Sequence, residues 1–211
     1  MNIEDNKKIK SLKVILLGES GVGKTNIILK YVKDIFLEKS QPTIGSTYIQ
    51  KDLIRENITY KLNIWDTTGQ EKYHSITKLF LQKADIVILV YSIDDEKSLK
   101  NLDYWYNEII NISGKGFVLA IVGNKYDLFD QEEIQKVPDE DGENFAKEKN
   151  AIFKLISAKK DQKGIITLFE QLLDEYIKVN KNKNKNENVE KSVKTEINDV
   201  KSNKKKKKIF C

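Results

Sequence analysis

A chain of 211 residues with 39% hydrophobic content is long enough for one domain and slightly too polar to be folded throughout. The polar excess lies in residues 180–211, which contain 11 Lys against 4 Asp plus Glu, a net charge of +7. Because the whole chain carries +5, the remaining body carries +5 minus +7, or −2. A nucleic-acid-binding domain needs a basic folded face, so this distribution excludes nucleic acid as the expected partner.

Three further features of the sequence bear on its cellular setting. The longest apolar runs, such as Ile86–Tyr91 and Phe117–Val122, are of strand length, far below the roughly 20 residues that a membrane helix needs. The first residues, MNIEDNKK, carry acids where a secretory signal needs a basic and then an apolar stretch. A single cysteine allows no internal disulfide, so a reducing, cytosolic setting is expected.

Strand-length apolar runs alternate along the chain with segments of helical period, which predicts a mostly parallel sheet with helices on both faces. The second and third strands are separated only by Arg55–Ile58, too few residues for a crossover helix, so they form an antiparallel hairpin at an edge. The predicted fold is therefore α/β, a doubly wound six-stranded sheet with one antiparallel edge strand. The predicted strands are Lys13–Leu17, Thr47–Ile54, Thr59–Trp65, Ile86–Ser92, Phe117–Gly123 and Phe153–Ser157; the predicted helices lie near Lys24–Asp34, Ser98–Asn111, Gly142–Lys149 and Ile165–Val179.

These elements divide the chain into three predicted segments. Residues 1–9 form a flexible N-terminus and residues 10–179 form the folded domain. Residues 180–211 form a basic tail whose Lys/Asn-rich, low-complexity composition predicts disorder. Ligands of such sheets bind at the carboxyl ends of the strands, so the chemistry is expected there.

The first predicted strand is followed by GESGVGKT, residues 18–25, which fits the phosphate-binding motif G-x-x-x-x-G-K-[ST] between a strand and a helix. The glycines let backbone amides face a phosphate chain, Lys24 neutralises its β and γ oxygens, and Thr25 can ligate Mg²⁺. The alternative is an ordinary glycine-rich turn, but a chance match in this length is on the order of one per cent. The motif predicts nucleotide binding by Ser20, Gly21, Val22, Gly23, Lys24 and Thr25.

The third predicted strand runs into IWDTTGQE, residues 64–71, where polar groups of several kinds follow an apolar strand. Beside a phosphate-binding loop, Asp66 can hold Mg²⁺ through water and Gly69 can bring its N–H to the γ-phosphate. Gln70 can orient the attacking water and is the predicted catalytic residue. Alone, the D-x-x-G pattern is a weak signal, and a capped turn would explain it equally well.

The fifth predicted strand ends in GNKYD, which supplies Asn124, Lys125 and Asp127. The carboxylate of Asp127 can accept the ring N–H and the exocyclic amine of guanine, a donor pair that adenine lacks. The next strand ends in SAK, which adds three more predicted nucleotide-binding residues. They are Ser157, Ala158 and Lys159.

With these motifs the chain resembles a Ras-superfamily small GTPase, and most of all the Rab family, over about Lys10–Val179. The resemblance also rests on PTIG, KLNIWDTTGQEKYHSI, ADIVILVYSI, SLKNLDYWYNEI and VGNKYDL. It implies hydrolysis of GTP to GDP with Mg²⁺ as cofactor. It further implies that Thr43 is a second protein ligand to Mg²⁺ and binds nucleotide, that Phe36 stacks on guanine, and that the backbone of Ala158 contacts the guanine oxygen.

The resemblance also implies partners for a monomeric switch: effectors, an exchange factor and a GTPase-activating protein. Tyr48, Trp65 and Phe80 match the aromatic positions at which Rab proteins meet effectors, although packing within the hairpin or the core is the alternative role. The only arginine, Arg55, lies away from the phosphate end of the predicted sheet. An arginine finger would therefore have to come from the activating protein, and hydrolysis without it should be slow.

The sequence finishes with KKKKKIFC. The five lysines 204–208 would attract an anionic membrane surface, and Cys211 could carry a prenyl lipid beside them. Rab proteins usually have two terminal cysteines or a cysteine followed by three residues, and this chain has neither; a solvated charge run is the alternative. TIG and YHS are similar to the early-endosomal Rab subgroup, which places the chain on the cytoplasmic face of an endomembrane, endosomal in type, with a cytosolic pool.

Two other functions stand beside the Rab-like switch. One is a GTP-binding module that hydrolyses GTP very slowly, and the other is a Ras- or Rho-type signalling GTPase. The helical insertion of Rho-type proteins is missing between Lys125 and Ser157, and SLKNLDYWYNEI resembles Rab sequences rather than Ras sequences.

Thr68 stands immediately before Gly69, where the resembled family usually has alanine. Its hydroxyl and extra methyl group would crowd the segment that closes on the γ-phosphate or compete with Gln70 for water. We therefore expect Thr68→Ala to speed intrinsic GTP hydrolysis, measured as the single-turnover rate of the preloaded protein. An unchanged rate would show that threonine is neutral here.

Overall fold

The computed structural model describes residues 8–39, 43, 46–67, 80–129 and 137–182. The chain divides into two units, Met1–Leu172 and Leu173–Cys211, and the sheet lies wholly in the first. None of the described helices is long and apolar enough to cross a membrane.

Six strands form one sheet in the order β2-β3-β1-β4-β5-β6. Only the β2–β3 pair is antiparallel; the other four pairs are parallel, which confirms the predicted fold class. Glu56 and Asn57 form the tight turn between β2 and β3, both with positive φ, as two-residue hairpins require. The strands are β1 Lys8–Leu17, β2 Ser46–Arg55, β3 Ile58–Thr67, β4 Ile86–Ser92, β5 Val118–Asn124 and β6 Ile152–Leu155.

The helices connect these strands in the α/β alternation that the sequence predicted. The boundary between the two units falls within the last helix, α5. The helices are α1 Lys24–Lys33, α2 Glu96–Lys100, α3 Leu102–Ser113, α4 Asp139–Glu148 and α5 over residues 162–182, with a short 3-10 helix at Tyr126–Leu128.

Two boundaries differ from the prediction for identifiable reasons. β1 begins at Lys8, inside the segment expected to be flexible, because its first residues pair with β3 from Ile58 onward; their exposed, polar character hid the strand. The single helix predicted from Ser98 is two helices that meet at Asn101. The first starts earlier because the side chain of Asp95 accepts a hydrogen bond from the backbone N–H of Lys97 at 3.0 Å.

Every residue of β4 and β5 is buried, as expected for central strands that have helices on both faces of the sheet. On one face, β4 and β5 pack with α3 through a core that contains the largest buried side chain, Trp105. On the other, Tyr31 of α1 stacks on Phe169 of α5 with ring centroids 3.8 Å apart. This packing fixes the strands so that the carboxyl ends of β1, β3, β4 and β5 lie at one edge.

The hydroxyl of Tyr91, in the core beneath α3, is one of the buried polar groups that have no hydrogen-bond partner among the described residues. The side chain of Tyr91 is fully buried, and burial raises the pKa of its hydroxyl. We expect Tyr91→Phe to increase the free energy of unfolding by about 1 kcal/mol, because it removes a desolvated hydroxyl without losing apolar contact. Urea unfolding at saturating nucleotide measures the change.

Ser98→Ala is the matched control for this prediction. The hydroxyl of Ser98 is buried too, but it accepts from the backbone N–H of Ser92 at 2.9 Å and donates to the carbonyl of Asp95 at 2.6 Å. Its removal should destabilise the protein. Equal destabilisation by both variants would contradict the assignment of Tyr91 as an unsatisfied group.

Candidate nucleotide-binding site

A cavity of about 400 Å³ opens at the carboxyl ends of the strands. Its walls come from the β1–α1 loop, the segment after α1 and the ends of β3, β5 and β6, so that residues far apart in sequence meet there. The predicted nucleotide-binding residues that line it are Ser20, Gly21, Gly23, Lys24, Thr25, Phe36, Thr43, Asn124, Lys125, Asp127, Ala158 and Lys159.

The loop between β1 and α1 surrounds a buried lysine. The ammonium of Lys24 donates to the carbonyls of Gly18 at 2.8 Å and Glu19 at 2.7 Å. Burial lowers the pKa of Lys24 to about 8, against the opposing charges of Asp66 and Glu19. A phosphate in this loop would favour the charged ammonium and offset the cost of its burial.

Glycine is required where this loop passes under the end of β5. Gly23 has a φ of 96°, and a Cβ there would lie 2.3 Å from the side-chain nitrogen of Asn124. A side chain could not enter without moving the asparagine. The close approach therefore joins the phosphate-binding loop directly to the strand end that carries the predicted base-binding residues.

Three oxygen-bearing side chains meet beside Lys24. The hydroxyl of Thr25 donates to Oδ2 of Asp66 at 2.6 Å and lies 3.0 Å from the hydroxyl of Thr43. The hydroxyl of Thr43 lies 3.4 Å from the same carboxylate oxygen. These are the three residues predicted to serve Mg²⁺, and the structure brings them together.

The burial and the hydrogen bonding of the Asp66 carboxylate suit a cation bound beside it. Its side chain is 3% exposed, and Oδ1 has no partner among the described residues. Burial raises the pKa of its carboxyl, although the hydrogen bonds from Thr25 and Thr43 and the charge of Lys24 oppose the shift. Hydroxyl and carboxylate oxygens are the ligands that Mg²⁺ prefers, together with phosphate and water, so the residues present suit that ion.

The side chain of Asn124, at the end of β5, connects the β1–α1 loop to the backbone that follows β6. Its side-chain N–H donates to the carbonyl of Val22 at 2.8 Å, and its oxygen accepts from the N–H of Ala158 at 3.0 Å. Val22 itself does not line the cavity. The Ala158 N–H, which the resemblance assigned to the guanine oxygen, is thus bonded to Asn124 in this structure.

Asp127 is oriented by a neighbour from the following strand end. The hydroxyl of Ser157 donates to Oδ1 of Asp127 at 2.6 Å. Ser157 is buried and absent from the lining, so its contribution passes through this carboxylate. The other carboxylate oxygen is left for donors in the cavity.

Phe36 and Lys159 form the mouth of the cavity at this end. The ammonium of Lys159 lies 5.8 Å from the centroid of the Phe36 ring and 3.3 Å from the carboxylate of Glu38. The predicted stacking residue and the last residue of the SAK motif therefore lie side by side where a base would enter.

The sequence analysis missed two residues that support the site. The carboxylate of Asp94 lies 3.3 Å from the ammonium of Lys125 and accepts from the hydroxyl of Ser92. Burial opposes ionisation, but these partners hold the pKa of Asp94 below its ordinary value. Asn26 was also missed. Asp94 lies in a polar turn sequence, and Asn26 directly follows the last residue of the phosphate-binding motif. Neither position therefore belongs to a sequence pattern that predicts a functional role.

The predicted effector residues form a row of rings. The Tyr48 and Trp65 centroids are 5.3 Å apart and those of Trp65 and Phe80 are 5.0 Å apart; Tyr48 is 48% exposed. The remaining predicted residues, Gly69, Gln70 and Cys211, lie outside the described residues, as does Thr68.

The cavity thus combines a glycine-rich loop around a buried lysine, the adjacent hydroxyl and carboxylate oxygens, and the carboxylate of Asp127. These are the features expected of a guanine-nucleotide-binding protein. The Ras family model matches residues 13–178, and the chain belongs to the Ras family. Members of this family are GTPases, and this chain is accordingly a GTP-hydrolysing enzyme.

Its relatives carry Rab-type names. The chain is 36% identical to the Ras-related protein RABF2b of Arabidopsis thaliana over 73% of this chain and 75% of the relative. It is 36% identical to the Ras-related protein Rab-18 of Lymnaea stagnalis over 83% of this chain and 85% of the relative. It is 40% identical to the GTP-binding protein ypt5 of Schizosaccharomyces pombe over 70% of this chain and 69% of the relative. These relatives confirm the resemblance to Rab proteins and do not favour the Ras- or Rho-type alternatives.

The cation assignment predicts a specific effect of Asp66→Asn. The variant removes a buried negative charge with little change of shape. In EDTA the melting temperature of the variant serves as its own reference, because loss of a desolvated carboxylate and loss of a countercharge of Lys24 act in opposite directions. Adding Mg²⁺ at constant GDP should raise the melting temperature of the wild type and have much less effect on the variant.

Asp52→Asn is the control, because it makes the same chemical change at an exposed position on β2. Its response to Mg²⁺ should match that of the wild type, with melting followed by scanning fluorimetry. The same Mg²⁺ response in Asp66→Asn and the wild type would rule out a role of Asp66 in holding the ion.

Proposed function

We propose that this protein is a GTP-driven switch of vesicle trafficking that uses Mg²⁺ and recruits effectors to an endomembrane. The observation that carries the proposal is the meeting of Lys24, Thr25 and Thr43 in a cavity that Asp127 also lines, with Asp66 hydrogen-bonded to Thr25 behind the lining. Phosphates and a guanine base therefore have separate, chemically matched ends of one site.

Selection of guanine follows from the geometry at the base end. The ring N–H and the exocyclic amine of guanine both need an acceptor, which the carboxylate of Asp127 provides. Ser157 fixes the orientation of that carboxylate, and Asp94 holds the ammonium of Lys125 beside the base. Adenine would not supply these two donors, so the hydrogen bonds that guanine offers to the carboxylate would be lost.

Hydrolysis is achieved by position and charge, without a covalent intermediate on the protein. Lys24 and the amides of the β1–α1 loop would hold the phosphates, and Gln70 is proposed to orient the attacking water. When bound through Thr25, Thr43 and Asp66, Mg²⁺ would neutralise charge on the phosphate oxygens. Loss of the γ-phosphate would release the segments that contain Thr43 and Gly69, which is the switch.

The partners follow from this mechanism. Effectors would bind the row of rings formed by Tyr48, Trp65 and Phe80, of which Tyr48 is exposed, when the adjoining segments are held. An exchange factor would release GDP, and an activating protein would supply the missing arginine. A monomer of this kind can cycle between cytosol and membrane. The Rab-type relatives support an endomembrane in general, and the similarity of TIG and YHS to the early-endosomal subgroup supports an endosomal one.

The tail is proposed to attach the protein to that membrane. Five consecutive lysines would contribute about 1 kcal/mol each at an anionic surface before screening. A lipid on Cys211 would supply the second signal that stable anchoring needs, since one chain alone binds reversibly.

The hydrolysis mechanism is tested with preloaded GTP and bound-nucleotide analysis over time. The wild type should hydrolyse GTP slowly, and Gln70→Ala should lower the single-turnover rate by about tenfold or more with GTP affinity retained. The reason is that the glutamine acts on the attacking water and not on the bound nucleotide.

Arg55→Ala is the matched control. One nitrogen of Arg55 donates to the carbonyl of Ile54 at 3.1 Å and another lies 3.5 Å from the carboxylate of Glu170, so the guanidinium is occupied at the hairpin. Hydrolysis by this variant should equal that of the wild type. A large loss in Arg55→Ala, or none in Gln70→Ala, would contradict the mechanism.

The membrane proposal is tested by mass spectrometry of protein from its native cells. The membrane-bound fraction should carry a prenyl group on Cys211, and Cys211→Ser should shift the chain to the cytosol. An unmodified thiol on membrane-bound protein would refute lipidation at this residue.

A further inference from the structure

The side chain of Asn26 makes a two-sided contact with the backbone of the segment after α1. Its Nδ2 donates to the carbonyl of Leu37 at 3.1 Å, and its Oδ1 accepts from the N–H of Leu37 at 2.9 Å. Asn26 is 8% exposed. One buried amide therefore satisfies both backbone groups of one residue eleven positions further along the chain.

This contact joins two parts of the nucleotide site. Asn26 directly follows Thr25, at the start of α1, and lines the cavity. Leu37 directly follows Phe36, which lines the cavity at the base end. Any displacement of the backbone at Leu37 would therefore move the Phe36 ring relative to the base.

Few other described contacts hold this segment. Ile35 and Leu37 are 44% and 43% exposed, so apolar burial contributes little to its position. The backbone N–H of Ile35 donates to the carbonyl of Leu29 in α1 at 3.4 Å, but this bond lies before Phe36 in the chain. The ion pair of Glu38 with Lys159 is exposed, and such pairs contribute about 0–1 kcal/mol. The two partly buried hydrogen bonds from Asn26 outweigh it.

We propose that Asn26 is a positioning residue that holds Phe36 against the base and thereby sets the rate at which guanine nucleotide leaves. The inference rests on the proposed guanine-nucleotide site. Asn26 makes no contact with the base in this role; it acts through the backbone of Leu37. Without it, the segment would sample positions in which the base is uncovered, and the nucleotide would dissociate faster from either the GDP or the GTP state.

The test measures dissociation of a fluorescent GDP analogue from the full chain at constant Mg²⁺. Asn26→Ala should raise the dissociation rate by about tenfold, since each of its two hydrogen bonds is worth about a factor of three and the factors multiply. Asn26→Ser should also raise the dissociation rate, because its short side chain cannot reach both backbone groups of Leu37. It is a second variant that keeps a small polar side chain at this position. Asn63→Ala removes another asparagine side chain with two hydrogen bonds, on the outer face of β3, and should leave the rate unchanged.

A double-mutant cycle separates positioning from a general structural role. Phe36→Ala should itself speed dissociation, and adding Asn26→Ala to it should change the rate less than twofold, because the ring that Asn26 positions is gone. Full additivity of the two substitutions, or a wild-type rate in Asn26→Ala, would overturn the inference. Failure of the wild type to retain the GDP analogue would instead refute the nucleotide site itself.

Hydrogen exchange provides a direct readout of the contact. In the GDP-bound wild type the N–H of Leu37 should be protected, and in Asn26→Ala it should exchange faster while amides of β4 keep their protection. Equal protection at Leu37 in both proteins would also overturn the inference.

Discussion

The buried carboxylate of Asp66 is the constraint on which the rest of the site depends. A desolvated negative charge is unfavourable unless it is paired, and this one has a raised pKa, two hydroxyls on one oxygen and no described partner on the other. Lys24 is buried nearby with a lowered pKa. The two opposite charges are kept inside the protein at a cost that phosphates with a divalent cation would offset.

The sheet determines where these charges lie. Parallel strands end at one edge, so the β1–α1 loop, the end of β3 and the end of β5 must meet there. The side chain of Asn124 then ties the loop at Val22 to the strand end at Ala158, across more than a hundred residues of sequence. One asparagine therefore joins the loop proposed to bind phosphate to the strand ends proposed to bind the base. Asn26 in turn joins the start of α1 to the segment that carries Phe36.

The strand ends could be predicted from sequence because each motif is local. GESGVGKT combines a turn, a lysine and a hydroxyl within eight residues, and the alternation of apolar strands with helices places it at the correct edge. The missed contacts are of another kind. Asp94 pairs with Lys125 across 31 positions, and Asn26 bonds a backbone group rather than a side chain. Such partners depend on the folded path of the chain, and β1 was likewise extended by pairing with a neighbour rather than by its own apolar pattern.

One cavity is proposed to bind phosphates beside Lys24, Thr25, Thr43 and Asp66 and to bind guanine through Asp127. The most direct measurement is displacement of a bound fluorescent GDP analogue by unlabelled nucleotides, with Mg²⁺ and with EDTA. The account predicts that GTP and GDP displace the analogue, that ATP does not even at large excess, and that EDTA accelerates release. Equal displacement by ATP and GTP, or release that does not depend on Mg²⁺, would contradict it.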